Sequence, residues 1–163
     1  MKFEIDVSGE DLLNVGYTIC VANKDHIKGF KMNRRFVDAL HSRYNQRIYR
    51  YHESKKGRSS LKVRLYCCLI YFILKSLHLK GGQQISLLLC KDFDGNEEKI
   101  KDNLNHFLGT LLGLNIQNIN FARLDRSSNA HRYAYLMRND TENKLITYVK
   151  IELNEVEQFI KKN

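Results

Sequence analysis

The chain has 163 residues, 43% apolar and 28% charged, a balance that excludes global disorder and suffices for one domain with a real core. It contains no proline, which excludes proline-rich linkers. Its 27 Lys and Arg against 18 Asp and Glu leave a net charge of +9, which points to a polyanionic partner.

The N-terminus, Met1-Lys2-Phe3-Glu4-Ile5-Asp6, is charged at once and does not read as a signal peptide. Residues 2–7 alternate Phe3, Ile5 and Val7 with Lys2, Glu4 and Asp6, the two-residue period of a strand. Ser8 to Asp11 reads as a turn, Val15 to Val21 as a second strand and Ile27 to Met32 as a third; short polar turns make these three antiparallel neighbours. Asn33 can cap a helix from Arg34, with Phe36, Val37, Leu40 and Tyr44 on one face. Residues 52–60 read as a loop, and Ser60 as the cap of a helix running to about Leu79. Its ten-residue apolar run, Leu65 to Leu74, is too short to span a bilayer and suits a helix packed centrally against a sheet.

Gly81-Gly82 stops that helix. The apolar run within Gln84 to Lys91 then suits an interior strand. After Asp92 to Asn96 a helix is expected, with Ile100, Leu104, Phe107, Leu108, Leu111 and Leu112 as one stripe and Glu97 and Glu98 in its first turn. Ile116 to Leu124 reads as a strand. His131 to Arg138 and Lys144 to Leu153 read as a hairpin; the alternative for the first is a helix starting after Ser128. Asn154 would cap a last helix carrying Val156, Phe159 and Ile160. The order implies an α/β fold, a mixed sheet flanked by helices in a single domain over 1–163. Its core covers 1–124, and a hairpin and helix cover 125–163.

The four cysteines, Cys20, Cys67, Cys68 and Cys90, form no C-x-x-C pair and read as buried, reduced thiols of a cytoplasmic protein.

The positive charge is local. Residues 31–64 hold Lys31, Arg34, Arg35, Arg43, Arg47, Arg50, Lys55, Lys56, Arg58, Lys62 and Arg64 against only Asp38 and Glu53, the whole net charge of the protein. Tyr44, Tyr49 and Tyr51 interleave with the arginines, and such a pairing can grip phosphates while stacking bases. The contacts expected for nucleic acid are Arg34, Arg35, Arg43, Arg47, Arg50, Lys55, Lys56, Arg58, Tyr49 and Tyr51. A solvated basic face or an acidic protein partner are the other readings.

Two strands end in aspartates: Asp6, followed by Val7-Ser8-Gly9, and the pair Asp92 and Asp94. If those strands are parallel neighbours the carboxylates converge, and hard oxygen ligands with open positions suit Mg²⁺ or Mn²⁺. Asp6 and Asp94 also suit local turns. A third carboxylate would come from Asp125, Glu53, Glu155 or Glu157. His131, in a polar stretch, is a candidate to position a water or protonate a leaving group, or a plain surface histidine. No Ser-His-Asp signature, phosphate-cradling glycine loop, dinucleotide fingerprint or zinc spacing is present.

The order of elements over residues 1 to about 124, with Asp6-Val7-Ser8-Gly9 in the first strand and Asp92 to Gly95 after the fourth, resembles the ribonuclease H-like superfamily of nucleases, integrases and resolvases. The resemblance implies metal ligation by Asp6 and by Asp92 or Asp94, and, by analogy with the resolvases, a homodimer. It departs from the pattern in having no well-placed acid on the helix after the third strand. The function expected is a Mg²⁺- or Mn²⁺-dependent nuclease or related phosphoryl-transfer enzyme acting on DNA or RNA. The alternatives are a nucleic-acid-binding module without chemistry and a protein-assembly component; no membrane partner is expected.

Overall fold

The alternation of residues 2–7 becomes strand β1, Lys2–Ser8, in a computed structural model that describes residues 1–162. Phe3 and Ile5 face one side of the sheet and are fully buried; Asp6 faces the other. Strand β2 is Thr18–Ala22 and β3 is Ile27–Lys31. Both β1–β2 and β2–β3 are antiparallel. β2 begins later than expected because the chain first turns through Gly16, at φ +92°.

The side chain of Asn33 accepts from the Phe36 N–H and caps helix α1, Arg34–Asn45, whose buried face is Phe36, Val37, Leu40 and Tyr44. The next helix starts earlier than the sequence suggests. Ser54, not Ser60, is the cap of α2, Lys55–Lys75, accepting from the Gly57 N–H. Residues 55–60 are therefore its first turns rather than a loop. Gly57 signals a loop but is needed here for close packing: a Cβ would lie 2.1 Å from the His52 carbonyl oxygen.

Every residue of α2 from Leu65 to Leu74 is buried, so this helix is the centre of the main core. No helix among the described residues is long and apolar enough to cross a membrane.

Strand β4, Gln84–Leu89, runs parallel to β1, and β5, Asn115–Phe121, runs parallel to β4. The five-stranded open sheet is ordered β3-β2-β1-β4-β5, which places β1 and β4 side by side at its middle. Between β4 and β5, helix α3, Glu97–Leu104, passes directly into a π-helical segment, Asn105–Leu111. The widened turn rotates the apolar stripe. Ile100, Leu104, Phe107 and Leu108 stay buried, whereas Leu111 is 44% exposed.

The expected hairpin does not form. Residues 129–138 are a helix, α4, Asn129–Arg138, capped by the Ser128 side chain and starting where the alternative reading put it. The tyrosines favour a strand, but Ala130, Ala134 and Met137 make a buried stripe that docks on the sheet, with Met137 against Gly29. The chain after α4 is irregular and meets β3 through a bridge of Tyr148 to Gly29 and through the Lys31 ammonium, which donates to the Asp140 carbonyl at 2.7 Å. A short helix α5, Leu153–Glu157, follows, and its cap is Glu152 in a capping box with Glu155, not Asn154. Helices α1, α2 and α3 thus lie with the larger core on one face of the sheet, and α4 covers β1, β2 and β3 on the other.

Candidate active site

Asp6 sits near the carboxyl end of β1, opposite Cys20 of β2 in the antiparallel register. Ile5 pairs with Leu89 of β4, so Cys90 follows on the other side of Asp6, with its N–H donating to the Ile5 carbonyl at 2.9 Å. The carboxylate therefore stands between two thiols, beneath α4. It is nearly buried, yet both oxygens are satisfied: Oδ1 accepts the Val7 N–H at 2.8 Å, and Oδ2 accepts from His131 Nδ1 at 2.7 Å. His131 belongs to the first turn of α4 and is 47% exposed, so the pair reaches the surface through the imidazole. Residues 125 apart in the chain make this contact.

Asp92 follows β4 by three residues. Its Oδ2 accepts the Tyr17 hydroxyl at 2.5 Å, and it lines a cleft of about 570 Å³. The other walls of that cleft carry Lys55, Arg58 and Lys62 from α2, with Glu10, Asp11, Glu53 and Asp94. Partial burial raises the Asp92 carboxyl above the usual range, the Tyr17 hydrogen bond opposes this, and the charges of Asp6, Asp94 and Asp11 raise it further. Burial pushes the Cys90 thiol up, and Asp6 and Asp92 both add to the shift, so Cys90 lies within reach of both charges. Cys20 is likewise pushed up to about 12 by burial and by Asp6. All four cysteines are free, and neither thiol beside Asp6 is a ready thiolate.

Asp6, Asp92 and His131 are thus brought to one end of the central strands, and Asp94 and Glu53 share the Asp92 cleft. Other expected ligands lie elsewhere. Asp125 lines a separate opening with Met1, Lys2 and Asn23, and its Oδ1 accepts from both the N–H and the hydroxyl of Ser127, which hold its carboxyl below the ordinary value. Glu155 is committed to the α5 capping box, and Glu157 is buried against Arg43 at 2.6 Å.

The basic segment divides in the same way. Arg43 serves Glu157, the Arg50 guanidinium donates to the Phe159 carbonyl, and Arg64 spans Asn103 at 2.6 Å and the Phe107 ring at 4.5 Å. Tyr49 is 1% exposed and Tyr44 is buried, so neither ring is free to stack on a base. Tyr51 is half-buried against the core with Arg50 over its ring. Arg34, Arg35, Arg47, Lys55, Lys56 and Arg58 remain exposed and without ion pairs among the described residues.

Tyr17 and Cys90 were not visible as site residues in the sequence. The only hint is that Cys90 stands two positions before Asp92; nothing marks Tyr17, whose partner is 75 residues away.

Among the described residues, no group of three or more His, Cys, Asp or Glu side chains is arranged to hold a metal ion. A Mg²⁺ ion does not need such a cage: it keeps several waters and is held by one or two carboxylates plus substrate phosphates. Asp92 has an oxygen, Oδ1, with no hydrogen bond among the described residues and so offers such a contact, whereas both Asp6 oxygens already accept from the protein. No protein-family model matches the chain, and no curated protein is significantly similar to it.

Proposed function

We propose that the protein is a divalent-cation-dependent nuclease or related phosphoryl-transfer enzyme of ribonuclease H-like type, acting on DNA or RNA. The observation that carries this reading is the juxtaposition at the ends of β1 and β4. Asp6 and Asp92 come from parallel neighbouring strands, and the Asp92 cleft has Lys55, Arg58 and Lys62 on its opposite wall. In sheets of this kind ligands bind outside the carboxyl ends of the strands. A bound Mg²⁺ or Mn²⁺ supplies an activated water and charge compensation at a phosphodiester. Asp6 and Asp92 would hold it.

The remaining roles belong to the chain. Lys55 and Arg58 hold the phosphate backbone against the cleft, where Lys62 is paired with Asp11 at 2.8 Å, and the exposed Lys56, Arg47 and Arg34 extend the positive track. His131 keeps a proton at Nδ1 against Asp6, which fixes the carboxylate and leaves its half-exposed ring as the proton carrier nearest the strand ends.

A binding module without chemistry is favoured by one observation, that each aspartate already has a protein donor. One assay separates the two. Labelled single- and double-stranded DNA and RNA are incubated with the protein in Mg²⁺, in Mn²⁺ and in EDTA. Cation-dependent cleavage that is lost in Asp6→Asn, with binding retained, is the expected result. Binding without cleavage under every condition leaves the module; cleavage by Asp6→Asn removes the site.

A further inference from the structure

We propose that the outer edge of β5 seats a second copy of this chain, paired antiparallel about a two-fold axis at Asn120, so that the two sheets join into one. This goes beyond the phosphoryl-transfer reading and does not depend on it.

The two edges of the sheet are treated differently. At β3 the chain after α4 returns along the edge: the Gly29 N–H donates to the Thr147 carbonyl at 2.9 Å, and the Gly29 carbonyl accepts the Val149 N–H at 2.8 Å. At β5 the outer side stays open. The Ala122 N–H donates to the Leu89 carbonyl at 2.9 Å, which fixes the alternation. Asn118 and Asn120 direct their backbone groups to β4, and Ile119 and Phe121 direct theirs outward, without partners among the described residues. Natural edge strands are blunted by lysine, proline, a bulge or a covering segment. Asn115–Phe121, reading NIQNINF, holds no charge and no proline. Its one irregularity lies beside Ile85 and Ser86 and leaves residues 118–121 in regular register.

The open groups are complementary to themselves. With Asn120 opposite the partner's Asn120, Ile119 lies opposite the partner's Phe121, and each such pair exchanges two N–H···O=C bonds, one pair on either side of the axis. The side chains match as well. Ile119 and Phe121 both belong to the main core, so a β-branched and an aromatic side chain continue that core across the axis. Asn118 and Asn120 are exposed on the other face, where amide meets amide. The π-helical segment packs beside β5 and leaves Leu111 44% exposed, with Leu112 and Ile116 half-buried, which supplies apolar surface flanking the pair. Charge points the same way: in a chain of net charge +9 most surfaces repel another copy, and this strand is neutral.

Sedimentation equilibrium over a concentration series tests the association, and a mass approaching twice the 19.2 kDa of the chain is expected. Asn120→Lys sets like charges opposite each other at the axis on an exposed position, and should weaken the dimer about 10-fold or more, with far-UV circular dichroism unchanged. Asn120→Cys tests the register. Residues opposite at a non-hydrogen-bonded position have Cα atoms about 4.5 Å apart, within disulfide reach, so this variant should crosslink to itself on mild oxidation. Asn118→Cys, about 14 Å from its own copy in that register, and the wild type should not. Hydrogen exchange in the wild type gives a readout free of substitution: the Ile119 and Phe121 amides should be protected in the dimer and lose protection on dilution, while Asn118 and Asn120, bonded to β4, keep theirs. A chain monomeric at every concentration overturns the proposal and leaves the edge to a foreign strand. So does a dimer indifferent to Asn120→Lys, crosslinking through Asn118→Cys in preference to Asn120→Cys, or protection at Ile119 and Phe121 that dilution does not change.

Discussion

The helix that carries His131 lies flat on the sheet because β3 has no side chain at one position, and this can be tested by adding one. Gly29 of β3 faces α4, and a Cβ there would lie 2.6 Å from the Ile19 carbonyl oxygen and 2.8 Å from both Cε and Sδ of Met137. Ordinary carbon contacts are about 3.5–4.0 Å, so Gly29→Ala demands close to an ångström of movement. The Met137 thioether is flexible and can yield, whereas the Ile19 carbonyl belongs to β2, paired through Ile19 to Phe30 of β3. The cost belongs at the upper end of the range for overpacking, about 3 kcal/mol, or a fall in Tm of about 6–12 °C for a chain of this size. Raising α4 also separates His131 from Asp6, now 2.7 Å apart. Thermal unfolding gives the first number, and amide hydrogen exchange along α4 gives the second. The double variant Gly29→Ala/Met137→Ala should regain the part of the loss due to Met137 but not the part due to Ile19. A Tm shift of less than about 2 °C, the scale of an indifferent surface substitution, together with unchanged exchange in α4, refutes the packing argument.

Three further outcomes are expected. Glu157 is 2% exposed, with Arg43, itself 39% exposed, at 2.6 Å and Lys161 at 3.8 Å; Arg43→Met leaves the buried carboxylate only the longer Lys161 contact and should cost about 2–3 kcal/mol, less than a fully stranded charge, seen as a lower urea midpoint, whereas Arg43→Met/Glu157→Leu should recover most of it. Asp92 has its carboxyl raised by burial and by Asp6, Asp94 and Asp11. The folded state therefore holds that proton to higher pH than the unfolded chain, and stability falls as pH rises from the unfolded value through the folded one. Asp92→Asn should thus raise Tm at neutral pH, with the gain vanishing in acid, and a lower Tm at neutral pH would contradict this. If Lys56 and Arg58 each contact a phosphate, Lys56→Ala and Arg58→Ala should each reduce the slope of log K against log salt by about 1, measured by fluorescence anisotropy with a labelled oligonucleotide.

What could be read without coordinates was local. The alternation around Asp6, the Asn33 cap and the apolar run of α2 are signals carried within a dozen residues, and each element forms where they lie. The misreadings have distant causes. Gly57 looks like a loop residue until the His52 carbonyl is seen against it, and the tyrosines of residues 131–138 look like a strand until Gly29, a hundred residues earlier, opens a seat for Met137. The π-helical segment after α3 has no periodic signature, so Leu111 counted as core although it faces outward. At the site, the two aspartates follow from their places at the ends of strands. The Tyr17 and His131 contacts depend on pairings across 75 and 125 residues that no local pattern encodes. The alternation of arginine and tyrosine misled in the other direction, because Tyr44 and Tyr49 turn inward and Arg43 is tied to Glu157, while Arg47, Lys55 and Lys56 turn out.

The most direct test of the account is a crystal grown or soaked in Mn²⁺ and measured at the manganese edge. The account predicts an anomalous peak at about 2.2 Å from a carboxylate oxygen of Asp6 or Asp92, on the side facing Lys55, Arg58 and Lys62. Well-ordered carboxylates with no peak there at millimolar Mn²⁺, or a peak only at Asp125, would contradict it.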